Sequence, residues 1–241
     1  MIYNENQEKV INAGVDFIKR GQDQIFQISG FPGTGKTEVI KEIIRRANIP
    51  LERVAPMAYV GQAASVMRLR GLTNAKTCHS WLYELKEIEL IDENGRPVMD
   101  TTFNKPKLVL RFVPKPIENI DLIVIDEAYT VPYRMKYEIE KRGIPIIAVG
   151  DVNQLPPIKD KPAYLIDGEI HYLTQIMRQK EGSGIVYLSK RILNGEPISA
   201  GLYGDVLVIE QKDLTENMLL MSRMILCGTN KTRDKLNTHI R

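Results

Sequence analysis

Apolar and polar positions along this chain follow two alternating rhythms. Short runs, several of them apolar on both faces, fall at residues 24–28, 53–59, 122–125, 145–149 and 224–227, as expected for strands of a parallel sheet covered on both sides. Between them lie stretches of helical spacing, such as Glu38-Val39-Ile40-Lys41-Glu42-Ile43-Ile44, where apolar side chains recur every three to four residues. Strands alternating with helices predict an α/β fold with a doubly wound parallel sheet. One segment breaks the pattern. Residues 86–119 are rich in charge and proline, and 88–98 reads as a hairpin turning at Asn94-Gly95, so an inserted β-hairpin subdomain is expected to stand out from the sheet.

The chemistry begins where the first strand ends. Gly30-Phe31-Pro32-Gly33-Thr34-Gly35-Lys36-Thr37 fits the phosphate-loop pattern Gly-x-x-x-x-Gly-Lys-[Ser/Thr] at every defined position. A strand precedes it and a helix follows it, the setting that separates such a loop from an ordinary glycine-rich turn. Glycines allow backbone N–H groups to turn inward around a phosphate, while the helix presents its free N-terminal amides to the same anion. Gly30, Pro32, Gly33, Thr34 and Gly35 are therefore assigned to nucleotide binding. Lys36 is expected to neutralise phosphate oxygens, and Thr37 to ligate Mg²⁺.

Two further strand ends carry candidates. Leu122-Ile123-Val124-Ile125 runs into Asp126-Glu127; successive side chains at a strand tip point oppositely, so Asp126 can face a metal while Glu127 addresses the attacking water. A lone Asp-Glu pair usually marks a solvated strand end, but here it follows a phosphate loop and a buried run. The next apolar run leads into Gly150-Asp151-Val152-Asn153-Gln154-Leu155-Pro156-Pro157. Gln154 could sense the γ-phosphate from there, since ligands of open α/β sheets sit at the carboxyl ends of the strands.

Composition narrows the class only slightly. The chain has 241 residues, 43% of them hydrophobic, and a net charge of +3, too small a charge to argue for nucleic acid by itself. Cys78 and Cys227 lie far apart with no Cys/His pairing pattern, so neither a disulfide framework nor a zinc site is expected. The N-terminus lacks the regions of a signal peptide and no apolar run reaches membrane-spanning length. A cytoplasmic protein without a membrane partner is the plain expectation.

Taken in order, Gly-x-Pro-Gly-Thr-Gly-Lys-Thr, Asp-Glu-Ala-x and Gly-Asp-x-x-Gln-Leu-Pro-Pro resemble superfamily 1 DNA helicases, specifically the RecD-like branch that includes Dda-like phage enzymes. The resemblance spans nearly the whole chain. It implies a RecA-like fold, ATP and Mg²⁺ as cofactors, and single-stranded DNA and single-strand/duplex junctions as partners. A bacterial or phage-infected host cell, with replication or recombination proteins nearby, is the matching setting. In the family's pattern Gln7 reads the adenine. Residues 58–64, Ala-Tyr-Val-Gly-Gln-Ala-Ala, are similar to its single-strand-binding motif Ala-Tyr-Thr-Gly-Lys-Ala-Ala, which assigns DNA contact to Tyr59, Gly61 and Gln62. Val60 and Gln62 depart from the pattern by a hydroxyl and a cation. Residues 75–82 resemble the next DNA-contacting motif and nominate Thr77 and His79, whose plainer roles would be a helix cap and a core histidine. Trp81 and Tyr83 could stack on bases, but their apolar neighbours favour the core. Arg178, in a segment ending Arg-Gln, matches an arginine that reaches across to the γ-phosphate.

The resemblance also sets the expected domain plan. Residues 1–200 would form the first motor domain, with the 86–119 insertion, and 201–241 the opening of a second RecA-like domain. The two later motifs of the family have no counterpart in this sequence, so slow hydrolysis by the chain alone is expected. The leading expectation is an ATP-dependent DNA helicase, represented by its N-terminal motor portion. The alternative is a nucleotide-switched single-strand-binding module with little turnover; a phosphate-loop ATPase acting on protein fits Arg178 and 150–157 less well.

Overall fold

The computed structural model describes residues 2–100, 102–175 and 183–240. The chain divides into two compact units, Met1–Arg178 and Gln179–Arg241, a break earlier than the boundary read at residue 200. In chain order the first unit runs α1 (Glu5–Arg20), β1 (Ile25–Gly30), α2 (Lys36–Arg46), β2 (Val54–Ala58), α3 (Gly61–Leu69), β3 (Lys76–Thr77), α4 (Cys78–Leu82), β4 (Tyr83–Glu89), β5 (Met99–Asp100), β6 (Lys105–Pro106), β7 (Leu108–Pro114), β8 (Leu122–Asp126), α5 (Lys136–Glu140), β9 (Ile146–Gly150) and β10 (Ile170–Leu173). Six of these strands form one parallel sheet in the order β10-β1-β9-β8-β2-β3.

Alternation along each strand divides the core between the two faces of the sheet. Leu122, Val124, Ile147 and Val149 pack with Ile11, Ile40 and Ile43 in one apolar cluster. Their sequence neighbours Ile123, Ile125, Ile146 and Ala148 pack with Met135, Ile139 and Tyr164 in the other. Strands buried on both faces need apolar side chains at every position, which is why these runs carry no polar alternation. Helix α1 is fixed at its start by a capping box between Asn4 and Gln7 and lies against α2, where a Cβ on Gly14 would fall 2.6 Å from Ile43.

The insertion is present but paired differently from its reading in sequence. Asn94-Gly95 does turn the chain, held by Asp92 Oδ1, which accepts from Asn94 N at 2.9 Å and Arg96 N at 2.8 Å. That turn closes only a short excursion with a bridge between Ile91 and Pro97. The long ladder joins β4 to β7, from Tyr83 opposite Pro114 to Glu89 opposite Leu108. Leu108-Val109-Leu110-Arg111-Phe112-Val113 is richer in strand-forming residues than the segment just after the turn, and it captures β4 as its partner.

The second unit holds α6 (Gly184–Leu193), the antiparallel pair β11 (Gly201–Tyr203) and β12 (Val206–Val208), α7 (Glu216–Met221) and α8 (Asn230–Ile240). Asp205 Oδ1 accepts from Gly184 N at 2.9 Å, tying α6 to the turn of the hairpin. The run 224–227, expected as a strand, has no ladder partner among the described residues, and Met224 and Leu226 are exposed. A lone strand has no neighbour to satisfy its backbone groups, and apolar content alone did not supply one.

Candidate functional site

The carboxyl ends of neighbouring strands place the sequence candidates along one edge of the sheet. Strand β1 runs directly into the phosphate loop. Gly33 and Gly35 adopt φ of 88° and 85°, a region that side-chain-bearing residues avoid, and a Cβ on Gly30 would lie 2.7 Å from Thr34 Oγ1. Lys36 Nζ donates to the Gly30 carbonyl at 2.6 Å, so its ammonium sits at the mouth of the loop. Burial pushes the Lys36 pKa down, against the opposing pull of Glu127, Asp151 and Asp126.

Gln7 belongs to the same structure. It is buried, its Nε2 donates to the Thr34 carbonyl at 3.0 Å, and its Oε1 accepts from Asn4 N at 3.1 Å. The amide thus caps α1 and braces the phosphate loop at once.

Strand β8 ends at Asp126, which is buried, and Glu127 follows in the left-handed region at φ 51° and ψ 41°. Both carboxylates line the same cleft. Desolvation by burial raises the pKa of both; for Glu127 the neighbouring Asp126 charge adds to it, while Lys36 opposes it. Glu127 Oε2 is a buried acceptor without a hydrogen-bond partner in the protein. Such an atom calls for a water or ligand donor. From β9, Gln154 reaches the same cleft, and Asp151 is buried with Oδ1 accepting from Asn153 N at 2.9 Å.

Together these residues line a cleft of about 140 Å³: Pro32, Gly33, Gly35, Lys36, Thr37, Glu38, Arg70, Asp126, Glu127 and Gln154. Arg70 escaped the sequence reading. It is the C-cap of α3, and its Nη1 donates to Thr37 Oγ1 at 2.9 Å; nothing local in the sequence joins positions so far apart. Arg178, assigned to this site from sequence, lies outside the described residues.

The donor set fits a nucleoside triphosphate and a hard cation. Amides of the loop and Lys36 suit phosphate oxygens, and the Thr37 hydroxyl with the Asp126 carboxylate suits Mg²⁺, which keeps water and phosphate ligands beside one or two carboxylates. Among the described residues no group of three or more His, Cys, Asp or Glu is placed to hold a metal alone. A cation here would need phosphate to complete its shell.

The candidates for nucleic acid continue along the same edge. After β2 come Tyr59, half-buried, and Gly61 and Gln62, exposed at the start of α3. After β3, Thr77 Oγ1 accepts from Ser80 N at 3.2 Å, so the cap role is real, while His79 is exposed rather than a core histidine. Ring centroids of Tyr59 and His79 lie 6.0 Å apart, and those of His79 and Tyr83 6.1 Å. Trp81 is partly buried and its Nε1 donates to the Pro56 carbonyl at 2.9 Å. Of these rings, His79 and Tyr83 open on a cleft of about 350 Å³ that Phe112, Arg134, Met135 and Glu138 also line.

A phosphate loop feeding a helix, paired carboxylates on a strand tip two places along the same sheet and a parallel sheet between helices define a RecA-like nucleotide-binding domain. The chain belongs to the AAA domain family, whose model matches residues 3–213. It is 22% identical to the Saccharomyces cerevisiae DNA replication ATP-dependent helicase/nuclease DNA2, over 95% of this chain and 15% of that protein. Two solved structures share the fold. One, described as the basis for DNA unwinding at forked double-stranded DNA by two coordinating Pif1 helicases, has a TM-score of 0.58 at 20% identity, covering 98% of this chain and 57% of its own. The other, a Bacteroides Pif1 bound to single-stranded DNA, has a TM-score of 0.55 at 19% identity, covering 99% and 56%. The chain spans between 15% and 34% of the length of the curated relatives it matches. Among the described residues no helix is long and apolar enough to cross a membrane.

Proposed function

We propose that the chain is the motor portion of an ATP-dependent DNA helicase, hydrolysing ATP with Mg²⁺ and coupling that reaction to movement along single-stranded DNA towards a junction with duplex. One observation carries this reading. In the sheet order β1-β9-β8-β2-β3, the first three strands lead into phosphate-site residues and the last two into the half-buried Tyr59 and Thr77 and the exposed Gly61, Gln62 and His79, so both ligands meet one continuous edge.

The residues divide the work as follows. Loop amides and Lys36 hold the phosphates, Thr37 and Asp126 hold the metal, and Gln7 reads the adenine beside the loop it braces. Mg²⁺, when bound, draws charge from the phosphate oxygens. Glu127 accepts the proton of the attacking water, and burial, which raises its pKa, strengthens it as a base. Gln154 lies beside Glu127 and orients that water, and Arg178 is assigned the charge that develops on the γ-phosphate. Tyr59, Gly61, Gln62, Thr77 and His79 hold the strand, with the β4/β7 ribbon at the junction. Replication or recombination proteins would be its working partners.

The test uses the longest available gene product. Single-stranded DNA should stimulate ATP hydrolysis, and a tailed duplex should be separated only with ATP and Mg²⁺. Strand binding that responds to nucleotide with no turnover would replace this reading with a nucleotide-switched single-strand-binding module.

A further inference from the structure

Helix α3 has one end at each proposed ligand. Its start carries Gly61 and Gln62, next to Tyr59, and its C-cap Arg70 donates to Thr37 Oγ1 at 2.9 Å inside the phosphate cleft. Between them Ala64 and Met67, each 1% exposed, seat the helix in the core. Arg68 Nη1 donates to the Ala75 carbonyl at 2.7 Å, tying the last turn to the segment that enters Thr77. A nine-residue helix is about 13 Å long and moves as one piece, so a shift imposed on its first turn is delivered to its last.

Arg70 sits on the oxygen assigned to the cation. A hydroxyl offers two lone pairs, but a guanidinium and a divalent ion on one oxygen would stand within about 5 Å of each other, where like charges repel strongly in a partly dry cleft. Arg70 and Mg²⁺ therefore compete for Thr37. The guanidinium also lies close enough to Asp126 and Lys36 to influence both charges, so where it goes changes the field in which phosphate binds.

We infer that Arg70 couples the two ligands: on Thr37 it stands in for the metal, and engagement of single-stranded DNA by the first turn of α3 withdraws it from Thr37 and releases that oxygen to Mg²⁺. The inference rests on the nucleic-acid role proposed above for residues 59–62. It makes Arg70 a positioning residue rather than a catalytic one, and it gives a physical route by which a strand could stimulate hydrolysis.

The test is equilibrium binding of a fluorescent ADP analogue to the full-length protein, with and without Mg²⁺ and with and without an oligothymidine, for wild type, Arg70→Ala and Arg70→Lys. The gain in nucleotide affinity that Mg²⁺ provides should rise about tenfold in Arg70→Ala, the scale of a hydrogen bond to a charged group, and return towards wild type in Arg70→Lys. In wild type the strand should strengthen metal-nucleotide binding about fivefold or more, a typical coupling between sites, and in Arg70→Ala that factor should fall close to one. An unchanged Mg²⁺ gain, or an undiminished strand effect, in Arg70→Ala overturns the inference. A wild type without any strand effect refutes the functional reading instead, and the Mg²⁺ arm then decides alone whether Arg70 and the metal compete. Arg70 caps an exposed helix end, so the Lys variant separates loss of the guanidinium from loss of fold.

Discussion

Gln7 and Thr34 are joined by one hydrogen bond, Nε2 to carbonyl oxygen at 3.0 Å, and through it the first helix holds the apex of the phosphate loop. The same amide accepts from Asn4 N and closes the cap of α1. Removing it should be felt at both places.

Gln7→Ala is expected to lower stability by about 1–3 kcal/mol, the cost of leaving buried hydrogen-bonding groups without partners, and to weaken nucleotide binding together with it. Denaturant melts and nucleotide titrations of one preparation check this. Loss of stability with undiminished nucleotide affinity would detach the cap from the loop.

Lys36→Ala should abolish hydrolysis while barely moving the melting temperature without nucleotide. Its ammonium meets loop carbonyls rather than core side chains, and burial already disfavours its charge. Undiminished turnover by the purified variant would remove Lys36 from the mechanism.

The two carboxylates should separate by function. Glu127→Gln is expected to keep binding nucleotide with Mg²⁺ but to lose hydrolysis by roughly 10²-fold or more, the scale of a general base, whereas Asp126→Ala should weaken metal-dependent binding itself. Equal affinity losses in both variants would contradict the division.

Their burial also predicts a pH dependence of stability. Folded pKa values raised above the unfolded ones mean that the folded state favours the protonated carboxyls, so their contribution is fully present below the ordinary carboxylate pKa and is lost as pH rises through the raised values. Asp126→Asn or Glu127→Gln should therefore stabilise the protein at neutral pH without nucleotide, and this advantage should fade as pH falls below about 4. Thermal melts at a series of pH values give the sign directly, and an advantage that grows on acidification would be the wrong one.

For the ribbon, Tyr83 and Pro114 face each other at its base, so replacing residues 84–113 by a short Gly-Ser turn is geometrically mild. In the full-length protein this change should spare strand-stimulated ATPase and impair unwinding. Intact strand displacement by the deletion would take the ribbon away from the junction.

What was legible in the sequence is what neighbouring residues decide among themselves. The phosphate-loop pattern could be read because its glycines, lysine and threonine lie within a few residues of one strand end, and Asp126-Glu127 because a buried run must end where its polar residues begin. The doubly apolar strands likewise announce a sheet covered on both faces. Pairing across the chain was not legible. The Asn94-Gly95 turn is real, yet β4 found its partner in 108–114, and Met224 to Cys227 found none among the described residues, because a ladder is won by whichever segment the fold brings alongside. Gln27 shows the same limit: a polar residue inside an apolar strand, it holds Leu165 N and the Asp167 carbonyl at 2.6 and 2.7 Å, partners that no local pattern indicates. Thus the sequence alone determined the fold class and the phosphate-loop pattern, which depend on residue type and short spacing. Only the tertiary structure decided that Arg70 meets Thr37 and that both sets of candidate contacts share one edge, because those relations come from strand order and helix packing between residues distant in the chain.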